Sequence, residues 1–214
     1  MALCKEYFYV GTMAKDLKKL TDGELLALYS EGEEAAFREI VNRYKNGLYA
    51  FLRMFLNRRE LVEDVFQETF LQLFTSKDSF DTKRPLRPWL FTIAANKAKD
   101  ALRKWQRKNA IPIGTMTDSE DLSFDDVLNS VTSDSTMPYE ELQRDERAMR
   151  VRQIIADMPE NLREILIFAY FNRFSYKQMA EILSIPIGTV KSRLHTAVGR
   201  FEKEWKASVG SKEA

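Results

Sequence analysis

The sequence predicts an all-α protein of two small helical domains joined by an acidic, flexible linker. Three observations lead there. Glycine and proline are scarce, at 8 and 6 of 214 residues, which disfavours a β-rich fold built on many tight turns. Apolar residues recur at steps of three and four over long stretches, the period of a helix that buries one side. Charge sums to only +1 because opposed blocks cancel. From Lys83 to Lys108 nine cations stand against Asp100 alone, a net of +8, whereas from Asn109 to Gln143 eight carboxylates stand with no Lys or Arg. A basic segment beside an acidic, Ser/Thr-rich one points to polyanion binding next to a solvated tether. At 44% hydrophobic residues the chain can fill one sizeable core or two small ones. The boundaries then fall at 21–108 and 139–206, with 1–20 an N-terminal extension, 109–138 the linker and 207–214 a tail.

The first domain reads as four helices. Thr21 and Glu24 have capping-box spacing, and Leu25, Leu26 and Leu28 follow before Gly32 offers a stop. A longer helix carries the stripe Phe37, Ile40, Val41, Tyr44, Leu48, Phe51, Leu52 and Phe55. A third, from about Glu60 to Ser76, turns Val62, Val65, Phe66, Phe70 and Leu73 inward. That leaves Asp64, Gln67, Glu68 and Leu71, at i, i+3, i+4 and i+7, on its outer face. After a loop from Ser76 to Arg87, Pro88 suits the first turn of a fourth helix to about Lys108. Trp89, Leu90, Ile93, Ala94, Ala101 and Leu102 anchor it. Asn96, Asp100, Arg103 and Arg107 share another side, with Lys97, Lys99 and Lys104 flanking them, and so strong a cationic run indicates phosphate contact.

The second domain opens with a helix from about Tyr139 to Met158, and Pro159 starts another with Leu162, Ile165, Leu166 and Ala169 inward. Ser175 and Gln178 form a second capping box ahead of a helix bearing Met179, Ala180 and Leu183. The turn Ser184, Ile185, Pro186 leads at once into a helix to about Lys206. Two helices joined by so short a turn make a helix-turn-helix, whose second member enters the major groove. Its outer residues Thr189, Lys191, Ser192, Arg193 and Thr196 are donors and cations, while Val190, Leu194, Ala197 and Phe201 line the inner side.

Composition also narrows the chemistry. A single cysteine, Cys4, forms no intramolecular disulfide, and with His195 the only histidine no zinc cluster is expected. No metal or cofactor is anticipated, nor an active site, since no nucleophile-base pair or Gly-rich phosphate loop stands out. Apolar runs such as Ile165 to Tyr170 fall short of the roughly 20 residues a membrane span needs, and Lys5 and Glu6 interrupt a signal-like start. The expectation is a cytoplasmic protein with no membrane insertion.

Two sets of motifs resemble the bacterial sigma factors of the extracytoplasmic-function type, built from a region-two helical bundle and a region-four helix-turn-helix domain. Ser175-Tyr176-Lys177-Gln178-Met179-Ala180-Glu181-Ile182-Leu183, followed by Ile185-Pro186-Ile187-Gly188-Thr189-Val190-Lys191-Ser192-Arg193-Leu194, is similar to the family's region-four helix-turn-helix. Asp64-Val65-Phe66-Gln67-Glu68-Thr69-Phe70-Leu71 resembles its polymerase-binding helix. Trp89-Leu90-Phe91-Thr92-Ile93-Ala94-Ala95-Asn96-Lys97-Ala98-Lys99-Asp100 resembles its promoter-melting helix. The resemblance covers about residues 20–108 and 139–206.

The resemblance implies a subunit that binds core RNA polymerase, through the clamp helices of the largest subunit and the flap, and directs promoter-specific initiation. Asp64, Gln67, Glu68 and Leu71 would dock on the clamp helices. Phe80, Arg84 and Leu86, in the loop 79–86, together with Asn96, Lys97, Lys99, Asp100, Arg103 and Arg107, would hold the opened minus-ten element, with one base flipped into the loop. Many relatives place an aromatic residue near Leu86, so base capture here falls to Phe80, Arg84 or backbone groups. Thr189, Lys191, Ser192, Arg193, Thr196 and Arg200 would read the minus-thirty-five element. Thr196, Val198 and Gly199 stand where relatives often carry basic residues, which predicts fewer phosphate contacts. The linker is either a self-repelling tether or, by resemblance, a segment occupying the polymerase's RNA path. The family also implies an anti-sigma partner, often membrane-anchored. The rival reading is a helix-turn-helix repressor or activator that is no polymerase subunit, which leaves the acidic strip and the Asn96 helix without purpose.

Overall fold

The computed structural model describes residues 16–56, 58–76, 80–81, 84–108 and 138–210, and among these it is helical throughout, with no strand. Residues 1–15 and 109–137 lie outside the described residues, and with them most of the N-terminal extension and the expectation for the linker's course.

A 3-10 turn at Leu17–Lys19 precedes α1 (Asp22–Ser30). The Thr21 capping box is formed: Thr21 Oγ1 accepts from the Glu24 amide at 3.3 Å, and the Glu24 carboxylate accepts from the Thr21 amide at 2.7 Å. Gly32 ends the helix at φ +101°, a conformation costly for any side chain, with Gly32 N–H on Tyr29 O and Glu33 N–H on Leu28 O, both at 3.0 Å. Asp22 then ties α1 to α2 (Glu34–Leu56) by accepting from Arg43 at 2.7 Å and from the Tyr44 hydroxyl. Burial with Asp22 at hand pushes the Tyr44 phenol up, so it stays a donor.

Of the predicted α2 stripe, Ile40, Tyr44, Leu48, Phe51, Leu52 and Phe55 are buried, while Phe37 and Val41 are half-buried. α3 (Arg59–Thr75) covers it with Val62, Val65, Phe70 and Leu73, while Phe66 is half-buried edge-on to Tyr49 and Phe70. α4 (Leu86–Lys108) begins two residues before Pro88, which therefore falls in its first turn. Leu90, Ile93 and Ala94 are buried as expected, but so are Phe91, Ala95 and Ala98. This helix is covered on two sides.

The second cover is the other domain. α5 (Pro138–Ala156) leads through Met158 and Pro159 to α6 (Glu160–Leu166), which runs on into a π-helical turn at Ile167–Phe171. There Asn172 N–H reaches back five residues to Ile167 O at 3.1 Å. The widened turn shifts the side-chain phase. Ile167 and Phe168 become fully buried and Ala169, expected inward, is half-buried. α7 (Tyr176–Leu183) starts at the formed Ser175 capping box, with Ser175 N–H on Gln178 Oε1 at 2.9 Å. Ser184 turns the chain in the left-handed region at φ 53°, and α8 (Ile187–Gly210) follows.

The two domains share one continuous core. Phe168 stacks on Phe51 of α2 with ring centroids 4.8 Å apart, and Phe91 of α4 meets Phe168 and Phe174 edge-on at 6.3 and 5.1 Å. Polar groups close the rim of this seam. Arg87 donates to Asn172 O at 2.6 Å with its guanidinium 4.4 Å over the Phe174 ring, and Arg163 donates to Phe55 O at 2.8 Å.

Candidate polymerase and nucleic-acid interfaces

The α3 strip is formed as its spacing requires. Asp64, Gln67, Glu68 and Leu71 are all exposed on one face, and Leu71, 60% exposed, is an apolar group left without protein cover. Phe74, three residues on and 50% exposed, extends the strip and leans on Tyr29 and Phe37 at 5.7 and 5.8 Å. Sequence reasoning missed Phe74, although the step of three from Leu71 was the available signal.

The basic helix divides more sharply than its charge count foretold. Asn96, Asp100, Arg103, Lys104 and Arg107 are exposed, with Arg103 held to Asp100 at 3.4 Å and Arg107 Nε donating to Arg103 O at 3.2 Å. Lys97 reaches across to Glu68 of the α3 strip at 3.0 Å, so the candidate polymerase face and the candidate DNA face touch through one ion pair. Lys99 is a correction. Its ammonium points into the seam and pairs with Glu164 of α6 at 2.6 Å, with the two side chains only 19% and 4% exposed, so in this conformation it presents nothing to DNA. Burial pushes the Glu164 carboxyl up, while Lys99 and Arg193 pull it back and Glu160 adds to the rise. A buried pair of this kind sacrifices hydration on both sides and is a weak source of net stability.

Leu86 is the second correction. Placed by sequence in a base-capturing loop, it is 1% exposed in the first turn of α4 and belongs to the core. Of the remaining loop positions Arg84 is exposed, its amide closing a turn on Asp81 O at 2.9 Å, while Phe80 is half-buried against Trp89 with centroids 4.5 Å apart.

On α8, Lys191, Ser192, Thr196 and Arg200 are exposed, whereas Thr189 and Arg193 are half-buried. Val190, Leu194 and Ala197 hold the opposite side in the core, with Phe201 half-buried. Ser192 and Thr196 spend their hydroxyl protons on the carbonyls of Thr189 and Ser192, at 3.1 and 3.0 Å, leaving oxygen lone pairs outward. His195 is exposed. Among the described residues no group of three or more His, Cys, Asp or Glu is placed to hold a metal, and no helix is long and apolar enough to cross a membrane.

A helix-turn-helix with an outward polar face, a cationic helix and an exposed acidic-apolar strip define a transcription protein that binds DNA and also docks on a protein partner. Known proteins agree. Residues 40–108 match the family model for sigma-70 region 2, and residues 148–200 match that for sigma-70 region 4. The chain is 30% identical over 174 residues to the ECF RNA polymerase sigma factor SigW of Bacillus subtilis, covering 81% of this chain and 91% of that one. It is equally identical over 188 residues to the ECF RNA polymerase sigma-E factor of Haemophilus influenzae, covering 87% and 96%. Two solved structures share the fold: CnrH in complex with the cytosolic domain of CnrY, at TM-score 0.63 and 23% identity over 87% of this chain and 97% of that one. The second is RpoE in complex with the anti-sigma factor NepR from Bartonella quintana, at 0.60 and 22% over 79% and 96%. The chain belongs to the ECF sigma factors of RNA polymerase, and it binds core polymerase and directs promoter-specific initiation of transcription.

Proposed function

We propose that this chain acts in the cytoplasm, without chemistry of its own, and divides initiation among three surfaces. The α3 strip of Asp64, Gln67, Glu68, Leu71 and Phe74 docks on core polymerase, its apolar members supplying burial and its carboxylates meeting basic groups. The exposed side of α4, with Asn96, Arg103 and Arg107 and with Phe80 and Arg84 beside it, holds the opened minus-ten strand. Lys191, Arg193 and Arg200 on α8 contact the minus-thirty-five element. The observation that carries this reading is the exposed strip on α3, because a helix-turn-helix repressor has no use for Leu71 and Phe74 in water.

The two structural neighbours were solved in complexes, one with the cytosolic domain of CnrY and the other with the anti-sigma factor NepR. By the same reading this chain is held inactive by such a factor, and exposed Tyr170, Phe171 and Tyr176 at the turn before α7 offer it apolar contact.

Reversing Asp64 and Glu68 to Lys together tests the docking assignment. The variant is expected to keep native circular dichroism, since both sites are exposed, and to lose core-polymerase affinity by roughly 10-fold or more. Unchanged affinity in the folded variant removes the strip from the interface.

A further inference from the structure

Glu164 is a buried carboxylate that none of the three surfaces uses, and it sits between the helices that carry two of them. Lys99 of α4 pairs with it directly, and Arg193 of α8 lies close enough to favour its charged form. One helix belongs to the minus-ten surface and the other to the minus-thirty-five surface, yet here both converge on one anion. On a promoter they cannot. The two elements lie some 25 base pairs apart, which at about 3.4 Å per pair is roughly 85 Å of duplex. A chain whose two readers meet at one carboxylate spans no such distance.

We propose that this arrangement is an autoinhibitory closed state, in which Glu164 takes the place of a DNA phosphate and clasps the two DNA-reading domains together. The aromatic seam of Phe51, Phe91, Phe168 and Phe174 supplies the adhesion, and Arg87 and Arg163 close its rim. The ion pair makes the seam releasable, because a buried pair returns hydration to both partners on opening and Lys99 then has phosphate available. The α3 strip stays exposed in the closed state, so core polymerase can dock before the domains part.

The inhibitory role rests on the reading that the exposed side of α4 and the α8 residues including Arg193 contact DNA, whereas the clasp itself does not, and the test separates them. Small-angle X-ray scattering of the full chain should show a compact body for the wild type. Glu164→Lys, which sets three cations against each other, should raise the radius of gyration by about 3–5 Å. The double variant Lys99→Met with Glu164→Leu, which fills the seam with apolar groups, should stay compact. A wild-type profile of two separated bodies overturns the proposal by itself, whatever the variants do. So does an unchanged radius in folded Glu164→Lys. For inhibition, Glu164→Lys should bind a random-sequence DNA duplex about 3- to 10-fold more tightly than Glu31→Lys, which gains the same charge at an exposed site at the end of α1. Equal affinities, with the expansion present, leave a clasp that does not inhibit and overturn the autoinhibitory assignment alone.

Discussion

α3 and α4 pack side by side and both carry ionic residues at helical spacing, but they spend them differently. On α3 the residues Asp64, Gln67 and Glu68 stay exposed together with an uncovered Leu71, Glu68 being paired with Lys97 at the edge of the strip. On α4 the cations are sorted by position. Arg103, Lys104, Arg107 and Lys108 lie beyond the reach of the second domain and remain exposed, while Arg87 and Lys99 are drawn into the seam. An outward charged face reports its use only where nothing packs on it. Where a second domain docks, the same residue type becomes part of the structure.

The sharpest way to break this comparison is to truncate one apolar residue from each surface. Phe168→Ala, in the stacked seam, should cost about 3–5 kcal/mol in urea unfolding. Leu71→Ala should change stability by no more than about 0.5 kcal/mol while weakening core-polymerase binding. Similar stability losses for the two would mean that the seam is not packed in solution.

Within α4 the contrast is between two arginines. Arg87→Ala removes a charge-assisted hydrogen bond and a ring contact, and should lower stability by about 2 kcal/mol in the same measurement. Burial pushes the Arg87 guanidinium down from its ordinary value, and since arginine side chains stay protonated in proteins the bond remains charge-assisted. Arg107→Ala should leave stability nearly unchanged and reduce the salt slope of DNA binding by about 1. If the two effects are exchanged, the sorting of the α4 cations is wrong.

Asn96 sharpens the exposed half of α4, because an amide among cations suits a base edge better than a phosphate. Asn96→Ala should keep core binding and closed-complex formation but lower open-complex formation severalfold. The defect should shrink on a template mismatched across the minus-ten element. Permanganate reactivity of unpaired thymines on both templates decides it, and equal melting on the paired promoter would make Asn96 a polar surface residue only.

The smallest expected effect lies on α8. Gly199 stands mid-helix and exposed, and a Cβ there would meet nothing within 4 Å. No packing demands the glycine, so Gly199→Ala should stabilise the chain by about 0.5–1 kcal/mol, read as a rise in thermal midpoint. A loss of stability would show that a Cβ at position 199 meets a neighbour in solution.

Local chemistry was open to reading because it depends on residues close in the chain. The capping boxes at Thr21 and Ser175, the α2 stripe and the outward α3 face follow from spacings of three and four, and the stop at Gly32 from the glycine itself; each is formed, with Phe37 and Val41 at the near end of the stripe only half-buried. On α8 the same spacings placed Lys191, Ser192 and Thr196 outward, as they are, but Thr189 and Arg193 are half-buried. Two things were not legible. The π-helical turn at Ile167–Phe171 inserts a phase shift that no 3.6-residue pattern announces, and it is what brings Phe168 under Phe51. The pairing of Lys99 with Glu164, 65 positions apart by the numbering, and the burial of Phe91, Ala95, Ala98 and Leu86 depend on which surface a second domain covers. Helical periodicity tells which side of a helix is apolar, because that side must leave water. It carries no information on a second packing partner. So the sequence by itself specified the helices, their caps and the polymerase and DNA faces as candidates, while only the tertiary structure decided which cations stay free and which are clasped.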